Sequence, residues 1–446
     1  MRIIITGAGD VGYHLAKMLS SDSQDIYLID QDEERLNYVQ SHIDIYTVLG
    51  DAASPAILKE AKVESCDLLI AVTSSEKTNL LVSVIAKRFG AKQTIARISE
   101  IENLDDEIQA MYRELGVDTL ISPVQLAADE IVRLVSQSAF TDHFGFEKDK
   151  LSVFGIPIGD KSPLKEKTVQ ESAYLNPNFS FKPIALHRKE DTVLVNRDTQ
   201  ILEDDILYFI SAPEAINDLT AMCDQACFSI KNIMIMGGSR IAIRTAQLLE
   251  KSHKVVLLEN DRAKCEQIAS VLTNTLVLNV DGGDVETLKE EGLGEMDAFI
   301  ACTGDSERNI ISCLVAKNHG VKKTIARVEN IDYIHLSQSI GVDTLINKKI
   351  IAASNIFKYV RKGDVNAIVS LHGVDAEIIE FNVKAGSRVT QKEIKKLNFP
   401  ENARIAGIVR GDKGFIPFGD FQVEADDKAI VFTLTDAIHK IERFFL

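Results

Sequence analysis

The chain has 446 residues, a length that predicts two to four domains at roughly 100–200 residues each. Its 66 acidic residues outnumber its 50 lysines and arginines, and the net charge of −16 argues against a protein that wraps nucleic acid or adheres to an anionic lipid surface. No run reaches the roughly 18 apolar residues of a membrane-spanning helix, and the six cysteines have no regular spacing, so we expect a cytoplasmic chain without direct membrane insertion.

The first 121 residues alternate short apolar segments with segments of helical periodicity. The apolar segments are rich in Ile, Val and Leu and lie at 3–5, 26–29, 45–49, 68–72, 95–98 and 119–121. The clearest helical segments lie between them, at 11–19, 33–39 and 80–89. Continuously apolar strands that alternate with helices are typical of a parallel sheet covered on both faces. Six such strands predict a Rossmann-like, doubly wound α/β domain.

After residue 138 this alternation is lost, and short strands and turns replace it. Residues 155–160 read Gly-Ile-Pro-Ile-Gly-Asp, and the apolar segment 206–210 follows an acidic turn at 203–205. These features predict a small α+β domain that ends near residue 226.

The chain contains this arrangement twice. The sequence Thr-Ile-Ala-Arg occurs at 94–97 and again 230 residues later at 324–327, and Gly-Val-Asp-Thr-Leu-Ile occurs at 116–121 and 341–346. So long a period is typical of duplicated domains rather than of a solenoid. We therefore predict two Rossmann-like domains with doubly wound parallel sheets, each followed by a small α+β domain. The predicted boundaries are 1–138, 139–226, 230–362 and 363–446.

A glycine-rich loop directly follows the first predicted strand. Residues 7–12 read Gly-Ala-Gly-Asp-Val-Gly and open a predicted helix, the context that a dinucleotide-binding loop requires. In that motif Gly7 permits the tight turn, Gly9 lets a pyrophosphate approach the backbone, and Gly12 lets helix and strand pack closely. The free N–H groups at the start of the helix favour phosphate. We predict that the whole loop binds a cofactor: Gly7, Ala8, Gly9, Asp10, Val11 and Gly12.

An acidic residue supports the same prediction. Asp30 ends the second predicted strand, where a carboxylate can accept both ribose hydroxyls of an adenosine. Its charge would repel a 2′-phosphate, so NAD or NADH is favoured over NADP as the ligand. The alternative interpretation is that the glycines only form turns.

Further polar residues follow other predicted strands and belong to the same crevice. They are Asp51 after the third strand, Thr73 after the fourth and Arg97 at the end of the fifth. A cation at the carboxyl end of a strand faces the ligand crevice, so we predict that Arg97 contacts phosphate. The alternative for each of the three is a cap, a turn or a surface pair.

The second copy carries a weaker form of the loop. Residues 237–242 read Gly-Gly-Ser-Arg-Ile-Ala, and Glu259 supplies the acid after the next strand. Gly237 retains the turn, but Ser239 stands where Gly9 stood and narrows the approach to phosphate. We predict a site at Gly237 and Glu259 for a smaller or weaker ligand, with an empty structural copy as the alternative.

A constellation for catalysis is missing from the sequence. A dehydrogenase needs a general acid or base near the nicotinamide, and the histidines are scattered without a nearby Asp or Cys at a catalytic or metal-ligand spacing. The predicted small domains are short for enclosing a substrate. We therefore expect no catalytic and no metal-binding residues, and a sensor rather than an enzyme.

Taken together, these sequences resemble the TrkA family, whose members have two RCK (KTN) nucleotide-binding domains, each followed by a TrkA-C domain. Asp30 and Asn79 carry part of the resemblance, and Asn309 repeats Asn79 in the second copy. The matching segments are 7–12, 48–51, 71–73, 95–97 and 116–123, then 301–303, 325–327 and 341–346. The departure at Ser239 leaves the ligand of the second copy open.

The resemblance implies a homo-oligomeric ring, usually a tetramer, peripheral on the inner face of the cell membrane. Its implied partner is a Trk-type (TrkH- or TrkG-like) potassium-translocating membrane protein, and its implied ligands are NAD or NADH and also ATP or ADP. Arg97 would then sense terminal phosphates. Segment 126–135 is apolar at helical spacing after Pro123, and we expect it to cross to a neighbouring domain, with an ordinary last helix of the sheet as the alternative. Two alternatives stay open: an NAD-dependent oxidoreductase with an unrecognised substrate site, and an RCK-type regulator of another cation transporter.

Overall fold

A computed structural model of the chain describes residues 1–20, 25–136, 142–147, 149–176, 180–188, 191–224, 230–330, 333, 341–357, 359–360, 365–370 and 376–446. The chain divides into two compact units. The first comprises Met1–Asp129 with Asn347–Val360, and the second comprises Glu130–Ile346 with Arg361–Leu446. In the ranges given above, no helix is both long and apolar enough to cross a membrane.

The first unit is built on a six-stranded parallel sheet. Its strands are β1 (Arg2–Thr6), β2 (Asp25–Asp30), β3 (Tyr46–Leu49), β4 (Leu68–Ala71), β5 (Gln93–Arg97) and β6 (Thr119–Ile121). The helices that follow these strands in the sequence are α1 (Asp10–Ser20), α2 (Glu33–His42), α3 (Pro55–Glu60), α4 (Glu76–Phe89), α5 (Asp106–Glu114) and α6 (Pro123–Ser136), of which α6 continues past the end of the unit at Asp129. The strands lie side by side in the order β3-β2-β1-β4-β5-β6, which is the predicted doubly wound arrangement.

Burial on both faces of this sheet explains its apolar strands. Ile3 and Ile5 pack in a cluster that contains Leu15 of α1, whereas Ile4 packs on the other face in a cluster that contains Val82 of α4. All five side chains are fully buried. A strand covered on both faces needs apolar residues at successive positions, so it shows no alternation with polar residues.

The first small domain forms an antiparallel sheet of five strands. They are β7 (Asp142–Phe146), β8 (Leu151–Pro157), β9 (Phe181–Arg188), β10 (Asp191–Leu194) and β11 (Ile206–Ser211). Their order is β10-β9-β11-β8-β7, and the helix α7 (Ile216–Met222) follows them.

The second large domain repeats the first. Its strands are β12 (Asn232–Met236), β13 (Lys254–Glu259), β14 (Leu276–Asn279), β15 (Ala298–Ala301), β16 (Lys323–Arg327) and β17 (Thr344–Ile346), in the order β14-β13-β12-β15-β16-β17. Its described helices are α8 (Arg240–Leu249), α9 (Arg262–Val271), α10 (Val285–Glu290), α11 (Ser306–Asn318) and α12 (Lys348–Phe357). The last of these, α12, belongs to the first unit and packs against α1 there.

The second small domain repeats the first one in the same way. Its strands are β18 (Val365–Ser370), β19 (Ala376–Asn382), β20 (Ala403–Arg410), β21 (Lys413–Phe415) and β22 (Lys428–Leu434), in the order β18-β19-β22-β20-β21. The helix α13 (Ile438–Phe445) follows. The predicted fold class, two doubly wound domains each followed by a small α+β domain, is therefore confirmed.

The two small sheets pack against each other within the second unit. One apolar cluster contains Tyr208 and Ile210 from the first sheet and Ile430 and Phe432 from the second. The ring centroids of Tyr208 and Phe432 lie 5.9 Å apart. Burial of this shared cluster holds the two small domains together.

Candidate nucleotide-binding site

The glycine loop connects β1 to α1 at the carboxyl edge of the first sheet. Gly7 has a φ of +101°, and a Cβ atom there would lie 2.9 Å from the backbone N and Cα of Thr73. A Cβ atom on Gly12 would lie 1.8 Å from the carbonyl oxygen of Gly7. The backbone here leaves no room for a Cβ atom at either position, so a larger residue would force the backbone to shift.

Gly9 differs from Gly7 and Gly12 because the backbone around it leaves room for a side chain. The nearest atom that a Cβ on Gly9 would meet is Nη1 of Arg35, at 4.0 Å. Gly9 precedes α1, and its carbonyl oxygen accepts a hydrogen bond from the N–H of Tyr13 at 2.8 Å. Without a side chain at this position, the N-terminus of α1 is open to an anion, as a pyrophosphate site requires.

The carboxylate of Asp30 lies against the same loop. Its Oδ2 accepts a hydrogen bond from the N–H of Ala8 at 2.5 Å, and its Oδ1 accepts one from the N–H of Asp32 at 2.9 Å. Two backbone N–H groups thus hold a half-buried carboxylate beside the glycine loop. This is the place and the charge that recognition of ribose hydroxyls needs.

Two cations flank the loop. Arg97 is half-buried at the end of β5, and among the described residues its guanidinium has no hydrogen-bond or ion-pair partner. Burial lowers the pKa of Arg97, and the carboxylate of Asp10 partly opposes that shift. Arg35 on α2 pairs with Asp32 at 3.1 Å.

A cavity of about 690 Å³ extends from the loop and is lined by residues that include Gly9, Tyr13, Arg35 and Tyr38.

Asp51 and Thr73 lie at the same edge of the sheet, but their side chains are engaged within the protein. Oδ1 of Asp51 accepts a hydrogen bond from the N–H of Ala53 at 2.9 Å. The hydroxyl of Thr73 donates to Oδ1 of Asn79 at 2.7 Å. Both contacts stabilise turns after strands, so a role of either side chain in ligand binding remains a prediction.

Asn79 connects three elements of the site. Its Oδ1 also accepts a hydrogen bond from the N–H of Thr73 at 2.9 Å, and its Nδ2 donates to the carbonyl oxygens of Thr73 at 3.1 Å and Arg97 at 2.9 Å. The side chain is buried. Asn309 makes the same four contacts with Thr303 and Arg327 in the second copy. The recurrence of this asparagine in both copies thus has a structural reason.

We expect Asn79→Ala to lower the free energy of unfolding by about 2–4 kcal/mol, because it removes the hydrogen-bond partner of the Thr73 N–H and of the partly buried carbonyls of Thr73 and Arg97. Chemical denaturation followed by circular dichroism measures the change. The matched control is Asn37→Ala on the exposed surface of α2, which should leave the unfolding midpoint unchanged. Equal midpoints for Asn79→Ala and the wild type would contradict the structural role.

The loop of the second copy has the same turn but a closed helix terminus. Gly237 has a φ of +97°, as Gly7 does. The hydroxyl of Ser239 accepts a hydrogen bond from the N–H of Ala242 at 3.3 Å and so caps α8 from within. A phosphate at the N-terminus of α8 would have to displace the Ser239 hydroxyl that caps the helix.

The carboxylate of Glu259, the acidic residue of the second copy, is also engaged within the protein. Glu259 accepts hydrogen bonds from the N–H groups of Gly238 at 2.8 Å and Asp261 at 3.0 Å, and it pairs with the ammonium of Lys264 at 2.7 Å. Burial works to raise the pKa of Glu259, but Lys264 and these N–H groups outweigh burial and lower the pKa. The carboxylate is therefore charged and already neutralised by a cation.

Two further ion pairs occupy the rest of that crevice. Arg327, which corresponds to Arg97, pairs with Glu329, and Arg308 pairs with Asp281. The cavity here is about 380 Å³. Charged groups that are left available in the first copy are thus paired within the protein in the second.

Sequence reasoning missed Arg35, Lys264 and Lys349. The first two hold corresponding positions, five residues after Asp30 and Glu259, so comparison of the copies would have found them. Lys349 contacts the loop of the first copy from α12, and its Nζ lies 2.8 Å from Oδ2 of Asp10. No local sequence pattern connects two residues so far apart in the chain.

The fold and the loops define a duplicated Rossmann-type protein with an open glycine loop in its first copy. Comparison with known families is in agreement. The TrkA-N domain family matches residues 3–123 and 233–348, and the TrkA-C domain family matches residues 153–224 and 378–446. The chain belongs to the TrkA family.

Individual relatives match over the whole length. The chain is 30% identical over 454 residues to "Trk system potassium uptake protein TrkA homolog 1" of Methanosarcina mazei, covering 100% of both chains. It is 31% identical over 446 residues to the TrkA homolog of Archaeoglobus fulgidus, also covering 100% of both. Among solved structures, "GsuK channel bound to NAD" matches with a TM-score of 0.61 at 16% identity, covering 99% of this chain and 78% of that one. This structural similarity supports the fold.

Proposed function

We propose that the chain is a nucleotide-sensing regulatory subunit of a Trk-type potassium uptake system. The observation that carries this proposal is the difference between the two copies. In the first, Gly9 leaves the helix terminus open, and the guanidinium of Arg97 forms no hydrogen bond or close ion pair with the described residues. In the second, the hydroxyl of Ser239 caps the corresponding helix, and Arg327 is paired with Glu329. The first copy is therefore the ligand site.

The ligand of that site is NAD or NADH, with ATP or ADP as competitors. Gly9 and the N-terminus of α1 would receive phosphates, Asp30 would receive the ribose hydroxyls, and Arg97 would receive a further phosphate. A solved structure of similar fold is described as bound to NAD, which supports this choice of ligand. In the second copy, a dinucleotide would have to break the Glu259–Lys264 pair, so that copy serves as a structural element.

The proposed mechanism is allosteric and involves no chemical step. A nucleotide shifts an equilibrium between two arrangements only if it binds one of them more tightly. The names of the relatives support a potassium-translocating membrane protein as the partner, and we propose a TrkH- or TrkG-like one. The chain would bind that partner from the cytoplasm, at the inner face of the membrane.

Assembly into a homo-oligomeric ring has support in the surface of α5. Its residue pattern is amphipathic, yet no residue of the helix is buried, and Met111 and Leu115 at its end are 49% and 53% exposed. An unpartnered apolar face of this kind is typical of an interface. We propose that a second copy of the chain covers it, as part of a tetramer.

Met111→Asp is expected to dissociate the oligomer, because a charge buried in an apolar interface lacks a partner and costs several kcal/mol. Light scattering coupled to size-exclusion chromatography should give the mass of one tetramer for the wild type and a smaller mass for the variant. The control is Arg113→Asp, which introduces the same residue at a polar, exposed position of α5. An unchanged mass for Met111→Asp would contradict this interface.

Potassium uptake in cells tests the proposed function as a whole. A strain that lacks this chain should take up rubidium-86, a potassium tracer, more slowly than its parent. The wild-type chain should restore uptake, and Asp30→Ala should do so incompletely or without response to the nucleotide pool. Full restoration by Asp30→Ala with an unchanged response would overturn the proposal.

A further inference from the structure

A helix from the second half of the chain forms part of the first nucleotide-binding domain. Although α12 follows the second parallel sheet in sequence, its residues Ala353 and Ile356 are buried in the same apolar cluster as Val11 and Leu15 of α1. The helix thus covers the face of α1 directly behind the glycine loop. Apolar burial holds it there, and the first domain is incomplete without it.

The same helix places a charge at the loop. Nζ of Lys349 lies 2.8 Å from Oδ2 of Asp10, the fourth residue of the loop. The Lys349 side chain is only 16% exposed, whereas that of Asp10 is 71% exposed. A largely buried ammonium is therefore held beside an exposed carboxylate, at the entrance to the phosphate site.

The negative charge of Asp10 is unfavourable for phosphate binding, and the ion pair with Lys349 compensates it. An unpaired carboxylate in the loop would repel the phosphates that the helix terminus attracts. Arg97 also interacts electrostatically with Asp10. With Lys349 in place, the charge of Asp10 is balanced by Lys349 and the charge of Arg97 is left for a phosphate; without Lys349, the negative charge of Asp10 offsets that of Arg97.

We propose that Lys349 is a positioning residue for phosphate binding: it neutralises Asp10, so the first copy binds di- and triphosphates tightly only while α12 is docked on α1. This inference rests on the proposed function and names a regulatory connection for the same site. By linkage, a bound nucleotide must in turn stabilise the docked helix. The nucleotide is thereby coupled to a helix that leads from the second parallel sheet to the second small domain.

Binding of ATP, ADP and adenosine to the full-length chain tests the proposal. Lys349→Met keeps the length of the side chain and removes its charge. We expect it to weaken ATP binding about tenfold, or about 1.4 kcal/mol, and to leave adenosine binding unchanged. Lys349→Arg should retain the affinity for ATP. The double variant Asp10→Asn with Lys349→Met should recover it, because both opposing charges are then absent.

Lys17→Met is the matched control, since it removes one exposed lysine from α1 without touching the loop. Hydrogen exchange gives a second measurement: ATP should slow exchange in residues 348–357 of the wild type but not of Lys349→Met. Equal ATP affinity of the wild type and Lys349→Met would overturn this inference alone. An equal loss for ATP and adenosine would also overturn it, since displaced packing would then be the cause. A wild-type chain that binds no nucleotide would overturn the proposed function as well.

Discussion

Replacing Gly9 by serine should weaken the binding of NADH and ATP roughly 100-fold without destabilising the fold. The nearest atom to a Cβ at this position would be Nη1 of Arg35, at 4.0 Å. Serine is also a preferred N-cap residue, so the folded chain should accommodate the substitution. The new hydroxyl would accept the N–H of Gly12, as Ser239 accepts that of Ala242. The phosphate would then lose a charge-assisted hydrogen bond and its close approach, at about 1.5–3 kcal/mol.

Two variants control this result. Ser239→Gly makes the same exchange in the reverse direction in the second copy and should leave NADH affinity unchanged. Gly12→Ala should instead impair folding, because its Cβ would meet the Gly7 carbonyl oxygen. Thermal unfolding and NADH titration on each variant separate the two effects. If Gly9→Ser bound NADH as tightly as the wild type, the loop would have no role in phosphate binding.

Asp30→Ala should change the choice of ligand as well as its affinity. The carboxylate is expected to accept the ribose hydroxyls of NADH and to repel the 2′-phosphate of NADPH, so its loss should weaken NADH roughly 50-fold and bring the two affinities close together. The ratio is the informative quantity. Both ligands share the pyrophosphate, so damage to the loop through the lost Ala8 contact would weaken them equally.

The control for this variant is Glu259→Ala in the second copy, whose carboxylate is paired with Lys264. It should leave the affinities for NADH and NADPH unchanged. Competition titrations against fluorescent NADH give both affinities for each variant. An unchanged ratio of NADH to NADPH affinity in Asp30→Ala would contradict the role assigned to Asp30.

Local patterns in the sequence sufficed to predict the sheets. Four of the six apolar segments of the first copy, at 3–5, 26–29, 68–72 and 95–98, are strands whose successive residues are buried except for the half-buried Arg97, and the sequence shows this burial as an apolar run. The positions of Gly7 and Gly12 were equally predictable, since the strand–turn–helix context demands a turn and a close approach. The repeat then transferred the same architecture to the second copy.

The state of each site could not be predicted, because it depends on pairings between distant residues. The sequence showed that Ser239 replaces Gly9, but not that its hydroxyl caps α8. Glu259 matched Asp30 as an acid at a strand end, whereas Lys264 neutralises it in the folded chain. The contact between Lys349 and Asp10 requires α12 to dock on α1, and that docking is a property of the tertiary fold.

The most direct test of the account is a titration of NADH with the purified full-length chain, followed by fluorescence anisotropy and by absorbance at the nicotinamide band. The chain has no tryptophan, so protein emission overlaps little with that of the ligand. We expect saturable binding of one NADH per chain, displacement by ATP and ADP, and no oxidation of NADH. The absence of binding, two equal sites per chain, or steady consumption of NADH would contradict it.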